Sequence, residues 1–138
     1  MEGFVKRFIL MGIIYLMIAS ALGVFMIVHP GSGNLRFAHV HLNLLGWMSM
    51  LIYGVGYHIL PRFSGKPLFS NRLGELQFWL ANAGLIGLAG IAITGQNGPG
   101  DSLYTLFILS GLLEVLSIFI FGFNMIMTLF IAETVAKG

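Results

Sequence analysis

Four long apolar stretches, cut apart by turn-forming clusters, constrain this chain more than any other feature. A helix needs about 20 mostly apolar residues to cross the hydrocarbon core of a bilayer. The stretches run from about Phe8 to Val28, Phe37 to Leu60, Gly74 to Thr94 and Leu103 to Ala132. Between them lie His29-Pro30-Gly31-Ser32-Gly33-Asn34, the segment Pro61 to Pro67, and Gly95 to Asp101, each rich in residues that end helices. The first stretch is longer than a secretory signal core of about 7–15 residues and has no small-x-small site before Pro30, so it reads as a retained span. The expected fold is an all-α, integral membrane four-helix bundle, a single domain over residues 1–138, with sequential helices as antiparallel neighbours.

Composition supports the membrane and removes other classes. Hydrophobic residues make up 57% of the 138 and charged residues 9%, too few to cover a water-facing surface. A formal charge of +2 is far too small for a nucleic-acid partner. With no cysteine, disulfides, thiolate catalysis and iron–sulfur clusters are excluded. No paired-carboxylate, G-x-S-x-G or phosphate-loop motif points to hydrolysis or phosphoryl transfer, and Gly31-Ser32-Gly33 reads as a turn. Lys6, Arg7, Arg62, Lys66, Arg72 and Lys137 fall on one side of the four spans and only Arg36 on the other. Basic residues concentrate in cytoplasmic loops, so both termini are expected in the cytoplasm.

Helical periodicity then sorts the polar residues. On the fourth span Ser110, Glu114, Ser117, Asn124 and Thr128 share one stripe. Glu114 lies about 16 Å from the outer end at 1.5 Å per residue, near mid-membrane. A carboxylate there must face protein or a water-filled cavity. It serves a proton relay or a buried ligand, or it is interhelical glue. Small residues line Gly12, Ala19 and Gly23 on the first span and Ala83, Gly87, Gly90 and Thr94 on the third, which reads as two packing seams.

The four histidines are the best transition-metal ligands available. His29, His39 and His41 gather at the outer edge, and His58 lies about 26 Å along the axis from His41. His39 and His41 are two residues apart and point about 200° apart around a helix, so one metal atom cannot take both from one helix. The His39 face continues through Asn43, Gly46, Met50, Tyr53 and Tyr57 and suits the interior, with Gly46 leaving room for a flat ring. The His41 face continues through Leu45, Met48, Ile52 and Val55 and suits lipid, a partner subunit or a macrocycle plane. Imidazole binds iron without needing an anionic partner in lipid. A haem would also account for Arg36, three residues before His39, as a propionate partner. A copper or iron site at His29, His39 and His41 is a further reading, opposed by the directions of His39 and His41.

The run Leu35-Arg36-Phe37-Ala38-His39-Val40-His41-Leu42-Asn43-Leu44-Leu45-Gly46-Trp47, with Tyr57-His58-Ile59-Leu60-Pro61-Arg62-Phe63, resembles the second helix of the haem–copper oxidase and nitric oxide reductase catalytic subunit. It is most similar to the cbb3-type and NO-reductase branches. Phe78-Trp79-Leu80 with Asn82, and the Glu114 to Asn124 stripe, are similar to the third and fourth helices of short subunit-I-like proteins. The resemblance covers essentially the whole chain and the first four of the family's twelve helices. It implies that the second helix starts on the outer side and carries one axial ligand of a low-spin haem b. Counting from Leu35-Arg36 favours His39, and counting from Asn43-Leu44-Leu45 favours His41. The family's remaining ligands stand on helices not matched here, so the expectation is not a complete oxygen or NO reductase and no catalytic residue is assigned.

The resemblance therefore implies a b-type cytochrome-like protein of a bacterial-type inner membrane. It would bind haem b through His39 or His41, with His29, Arg36, Gly46 and Glu114 as further cofactor-binding candidates, for electron transfer or for sensing NO or O2. A sixth iron ligand would come from these helices, a second protomer or a diatomic gas. The family's three four-helix arcs suggest a homo-oligomer, a trimer before a dimer. The alternative is a haem-free assembly or interaction protein, or a small oligomeric channel-like protein.

Overall fold

The computed structural model describes residues 2–131, all helix, turn or loop with no strand among them. Ala132 and Lys137 lie outside the described residues. Four helices are long and apolar enough to cross a membrane: α1 (Gly3–Val28), α2 (Gly33–Phe63), α3 (Asn71–Thr94) and α4 (Tyr104–Phe130).

Helix α1 begins about five residues earlier than hydropathy alone indicates, because Phe4, Val5 and Phe8 are core residues. Phe4 meets the Tyr57 ring edge-on at 5.2 Å, and Phe8 meets Phe78 at 5.2 Å and Tyr53 at 5.6 Å. Arg7 is part of the helix too. It pairs with Glu75 of α3 and lies over the Phe78 ring, 5.1 Å from its centre.

Helix α2 is not uniform. A 3₁₀ turn (Gly33–Leu35) leads into α-helix (Arg36–His41), then π-helix (Leu42–Ser49), then α-helix again (Met50–Phe63). The wider π spacing is echoed by Ser49, whose hydroxyl donates to the Leu44 carbonyl five residues back at 2.9 Å. The helix runs past Pro61, which has no N–H to give the Tyr57 carbonyl one turn earlier, and ends at Phe63. Gly65, at φ +65°, then reverses the chain, with its N–H on the Arg62 carbonyl and the Lys66 N–H on the Pro61 carbonyl. These two bonds form a Schellman closure, which needs a left-handed residue.

Helix α3 is capped at its start by the Ser70 hydroxyl, which accepts from the Leu73 N–H at 3.2 Å, and is ended by Gly95 at φ +73°. It is the central helix. Just over half of its membrane-capable window is buried (56%), against 22% for α1 and 17% for α4. The helices pack closely in two pairs, α1 on α2 and α3 on α4. Outward faces carry Met17, Phe119 and Phe130, a surface suited to lipid and costly in water.

The α3–α4 seam keeps Gly87 of the expected four residues and adds Gly84. Ala83, Gly90 and Thr94 are exposed, while Gly84 and Gly87 face α4. A Cβ on Gly84 would stand 2.9 Å from the Glu114 backbone nitrogen and from the Ser110 carbonyl oxygen, and one on Gly87 would strike the Ser110 hydroxyl. The polar stripe of α4 needs space, and Gly84 and Gly87 supply it.

Candidate functional site

Helix α1 seats the His39 ring. Ala19 is fully buried, and a Cβ on Gly23 would lie 2.9 Å from His39 Cε1, so a larger residue at Gly23 would displace the imidazole. The His39 Nδ1 stands 3.0 Å from the Ala19 carbonyl oxygen. A carbonyl can only accept, so in the neutral ring Nδ1 carries the proton and Nε2 carries the lone pair. A metal-ligating histidine is set up in the same way, its second nitrogen donating to a carbonyl that fixes the tautomer and raises basicity.

Two more imidazoles have this arrangement within their own helices. His41 donates from Nδ1 to the Phe37 carbonyl at 2.9 Å and stacks on the Phe37 ring at 3.8 Å. Phe37 leans in turn on Phe107 of α4, 5.4 Å away. His29 donates from Nδ1 to the Phe25 carbonyl at 3.1 Å and stacks on Phe25. His39 thus packs against α1, while His41 stacks on a ring that leans toward α4. Among the described residues no three His, Asp or Glu side chains form a group able to hold a metal ion, so the three-histidine metal reading has no geometric basis. His58 stands apart at the other end of α2.

A cleft of about 440 Å³ opens beside His39, lined also by Ser20, Val40, Asn43 and Leu44. Ser20, Val40 and Leu44 are exposed, so the cleft faces away from the bundle core. Asn43 is tied by its Nδ2 to the His39 carbonyl at 2.9 Å. Arg36 is exposed and makes no hydrogen bond or ion pair within the described residues, leaving its guanidinium available.

Two other candidates sit deeper. The room expected above Gly46 is filled: a Cβ there would meet Tyr15 Cβ at 2.8 Å and Leu85 Cδ2 at 3.1 Å. Gly46 admits the Tyr15 side chain, whose hydroxyl donates to Asn82 Oδ1 at 2.7 Å. Glu114 is buried against α3, with its Oε1 lacking a hydrogen-bond partner among the described residues. Ser117 Oγ and Gln77 Nε2 are in the same condition. Buried polar atoms without a protein partner are sites for ordered water. No hydrogen bond links Glu114 to His39 or His41 within the described residues.

The π-helical segment begins immediately after His41, and such segments recur at functional sites. Periodicity at 3.6 residues per turn could not reveal it. Tyr15, Asn82 and Gln77 also escape a reading by helical faces, whereas Tyr57 is buried as its place on the His39 face implies. Tyr57 donates to Gln77 Oε1 at 2.6 Å across helices.

The chain is similar to known proteins. The family model for "Cytochrome C and Quinol oxidase polypeptide I" matches residues 3–137. Cytochrome c oxidase subunit 1 of Rhodobacter capsulatus is 41% identical over 49 residues, 35% of this chain and 9% of that protein. A cytochrome c oxidase subunit 1 homolog of Agrobacterium tumefaciens (strain T37) is 37% identical over 54 residues, 38% of this chain and 10% of that one. The Cbb3-type cytochrome c oxidase subunit CcoN1 of Stutzerimonas stutzeri is 39% identical over 49 residues, 35% of this chain and 10% of that one. The matched stretch spans about a tenth of the length of these relatives.

Proposed function

Because the chain belongs to the cytochrome c and quinol oxidase polypeptide I family, we propose that it is a membrane haem b-binding protein used for electron transfer or for sensing NO or O2. The observation that carries this reading is the hydrogen bond from His39 Nδ1 to the Ala19 carbonyl. It holds a proton on one nitrogen and leaves the other as an electron-pair donor beside an open cleft. His39 is favoured over His41 because a second helix fixes its ring, whereas His41 is held only by its own turn.

Haem would supply a one-electron couple or an iron that takes a diatomic gas. The chain's own residues orient and hold it. Ala19 and Gly23 fix the ring plane of His39, and Asn43 braces its backbone. Arg36 would pair with a propionate in a charge-assisted bond. Glu114 keeps one carboxyl oxygen available to a water or a bound group. The cleft faces outward, so a sixth ligand would come from a second copy of the chain or from a gas. A homotrimer satisfies that geometry with closed symmetry, and sedimentation of detergent-solubilised protein as a monomer alone would remove it. Both termini lie in the cytoplasm on this reading, consistent with Arg62, Lys66 and Arg72 sharing one end of the bundle.

The test is the visible spectrum of purified protein after haem supplementation. The expected result is a Soret band that disappears in the His39→Ala/His41→Ala double variant. No band in the wild type, or an unchanged band in the double variant, would defeat the proposal. The haem-free assembly reading draws support from the cross-helix bonds Tyr15–Asn82 and Tyr57–Gln77, which tie the bundle without a cofactor. It requires colourless protein and tolerance of histidine substitution.

A further inference from the structure

At the end of the bundle opposite His39, a second cavity of about 440 Å³ lies where α2 ends, α3 begins and α1 begins. It is lined by His58, Arg62, Lys66, Asn71, Leu68 and Glu2, among others. Its chemistry is set by one contact. Arg62 Nη1 stands 2.7 Å from His58 Nδ1. A guanidinium has no acceptor, so it donates and Nδ1 must accept. In the neutral ring the proton then sits on Nε2. His58 and Arg62 therefore act together as a fixed donor set, joined on the cavity wall by the Lys66 ammonium and the Asn71 amide. Lys66 is positioned from α4, its Nζ donating to the Leu129 carbonyl at 2.9 Å. Among the described residues Glu2 lies at the cavity edge.

Such a wall suits an oxyanion, and its position selects which one. The cavity sits where the membrane-capable helices stop, at the level of lipid headgroups. Basic pockets between helices at this depth bind anionic headgroups. The geometry points to a binding site for the headgroup phosphate of an anionic phospholipid, held by Arg62 and His58 with the Asn71 amide. This site depends on the helices spanning a membrane and not on haem, so it stands or falls separately from the cytochrome reading.

The experiment is native mass spectrometry of the full chain in detergent, titrated in parallel with phosphatidylglycerol, phosphatidylcholine and inorganic phosphate. The expected result is one phosphatidylglycerol per chain, retained at lower concentration than phosphatidylcholine and not displaced by phosphate. Arg62→Gln should weaken retention roughly fivefold, the effect of one basic residue near an anionic headgroup. His58→Ala should weaken it without changing net charge. Arg62→Lys should recover part of the loss and guards against a folding defect. Glu2→Gln should strengthen retention. Arg72→Gln, a basic residue at the same end but not on the cavity wall, should leave retention unchanged. Equal losses in Arg62→Gln and Arg72→Gln would mean diffuse attraction to the surface and overturn the site. Displacement by inorganic phosphate would reassign it to a free anion, and equal retention of both lipids would remove it.

Discussion

The two ends of α2 carry imidazoles with opposite polarity. At the His39 end the ring donates from Nδ1 to a backbone carbonyl, so the exposed chemistry of the ring is a lone pair. At the His58 end the ring accepts at Nδ1 from Arg62, so its exposed chemistry is an N–H. Both are histidines on one helix. The partner on the other nitrogen decides whether the residue suits a metal or an anion. Their surroundings follow the same division. His39 is wedged into small residues of α1 and bordered by the polar groups of Ser20 and Asn43, whereas His58 lines a cavity with Arg62 and Lys66.

The contrast is broken most strongly by filling the seat of His39. Gly23→Leu should lower haem affinity by at least about tenfold, since misplacing a ligand group by about an ångström can cost orders of magnitude. Helix content should stay intact, because the clash is with a side chain and not with backbone. Circular dichroism beside a haemin titration checks both halves. Arg62→Leu at the opposite end should leave haem affinity within about twofold, since it is remote from the His39 cleft.

A smaller effect is expected from Arg36→Gln. Loss of an exposed charge-assisted bond to a propionate should weaken haem binding by roughly fivefold, less than a buried pair would lose. The same titration at rising salt should narrow the gap between wild type and variant. Smallest is Tyr57→Phe, which removes the Gln77 bond at the His58 end and should cost about 1 kcal/mol of stability. Thermal unfolding should register it while the Soret band stays unchanged. A shifted band would mean that the two ends are coupled.

Much of this architecture is legible in the sequence where the physics is local. Lipid demands long apolar helices, so the spans stand out and their order follows from the turn residues between them. The five polar residues of α4 that share a helical face, Ser110, Glu114, Ser117, Asn124 and Thr128, are all buried. The Gly12, Ala19 and Gly23 stripe does receive α2. Features that depend on a distant partner are not legible in this way. The early start of α1 comes from Phe4 packing on Tyr57, and no periodicity within α1 contains that information. Gly46 was open by helical geometry and is closed because Tyr15 of another helix fills it. The α3 seam holds Gly84 beside the expected Gly87, because Ser110 and Glu114 need space there. The π segment escapes because its sequence, Leu42–Ser49, has the same apolar character as ordinary helix.

The central claim is that a lone pair on the His39 end of α2, and not the imidazole at the other end, takes the haem iron. It is tested most directly by titrating haemin into three single variants, His39→Ala, His41→Ala and His58→Ala, and following the Soret band. The account predicts that His39→Ala loses most of the band while His58→Ala binds as the wild type does. Wild-type binding in both His39→Ala and His41→Ala, with loss in His58→Ala, would contradict it.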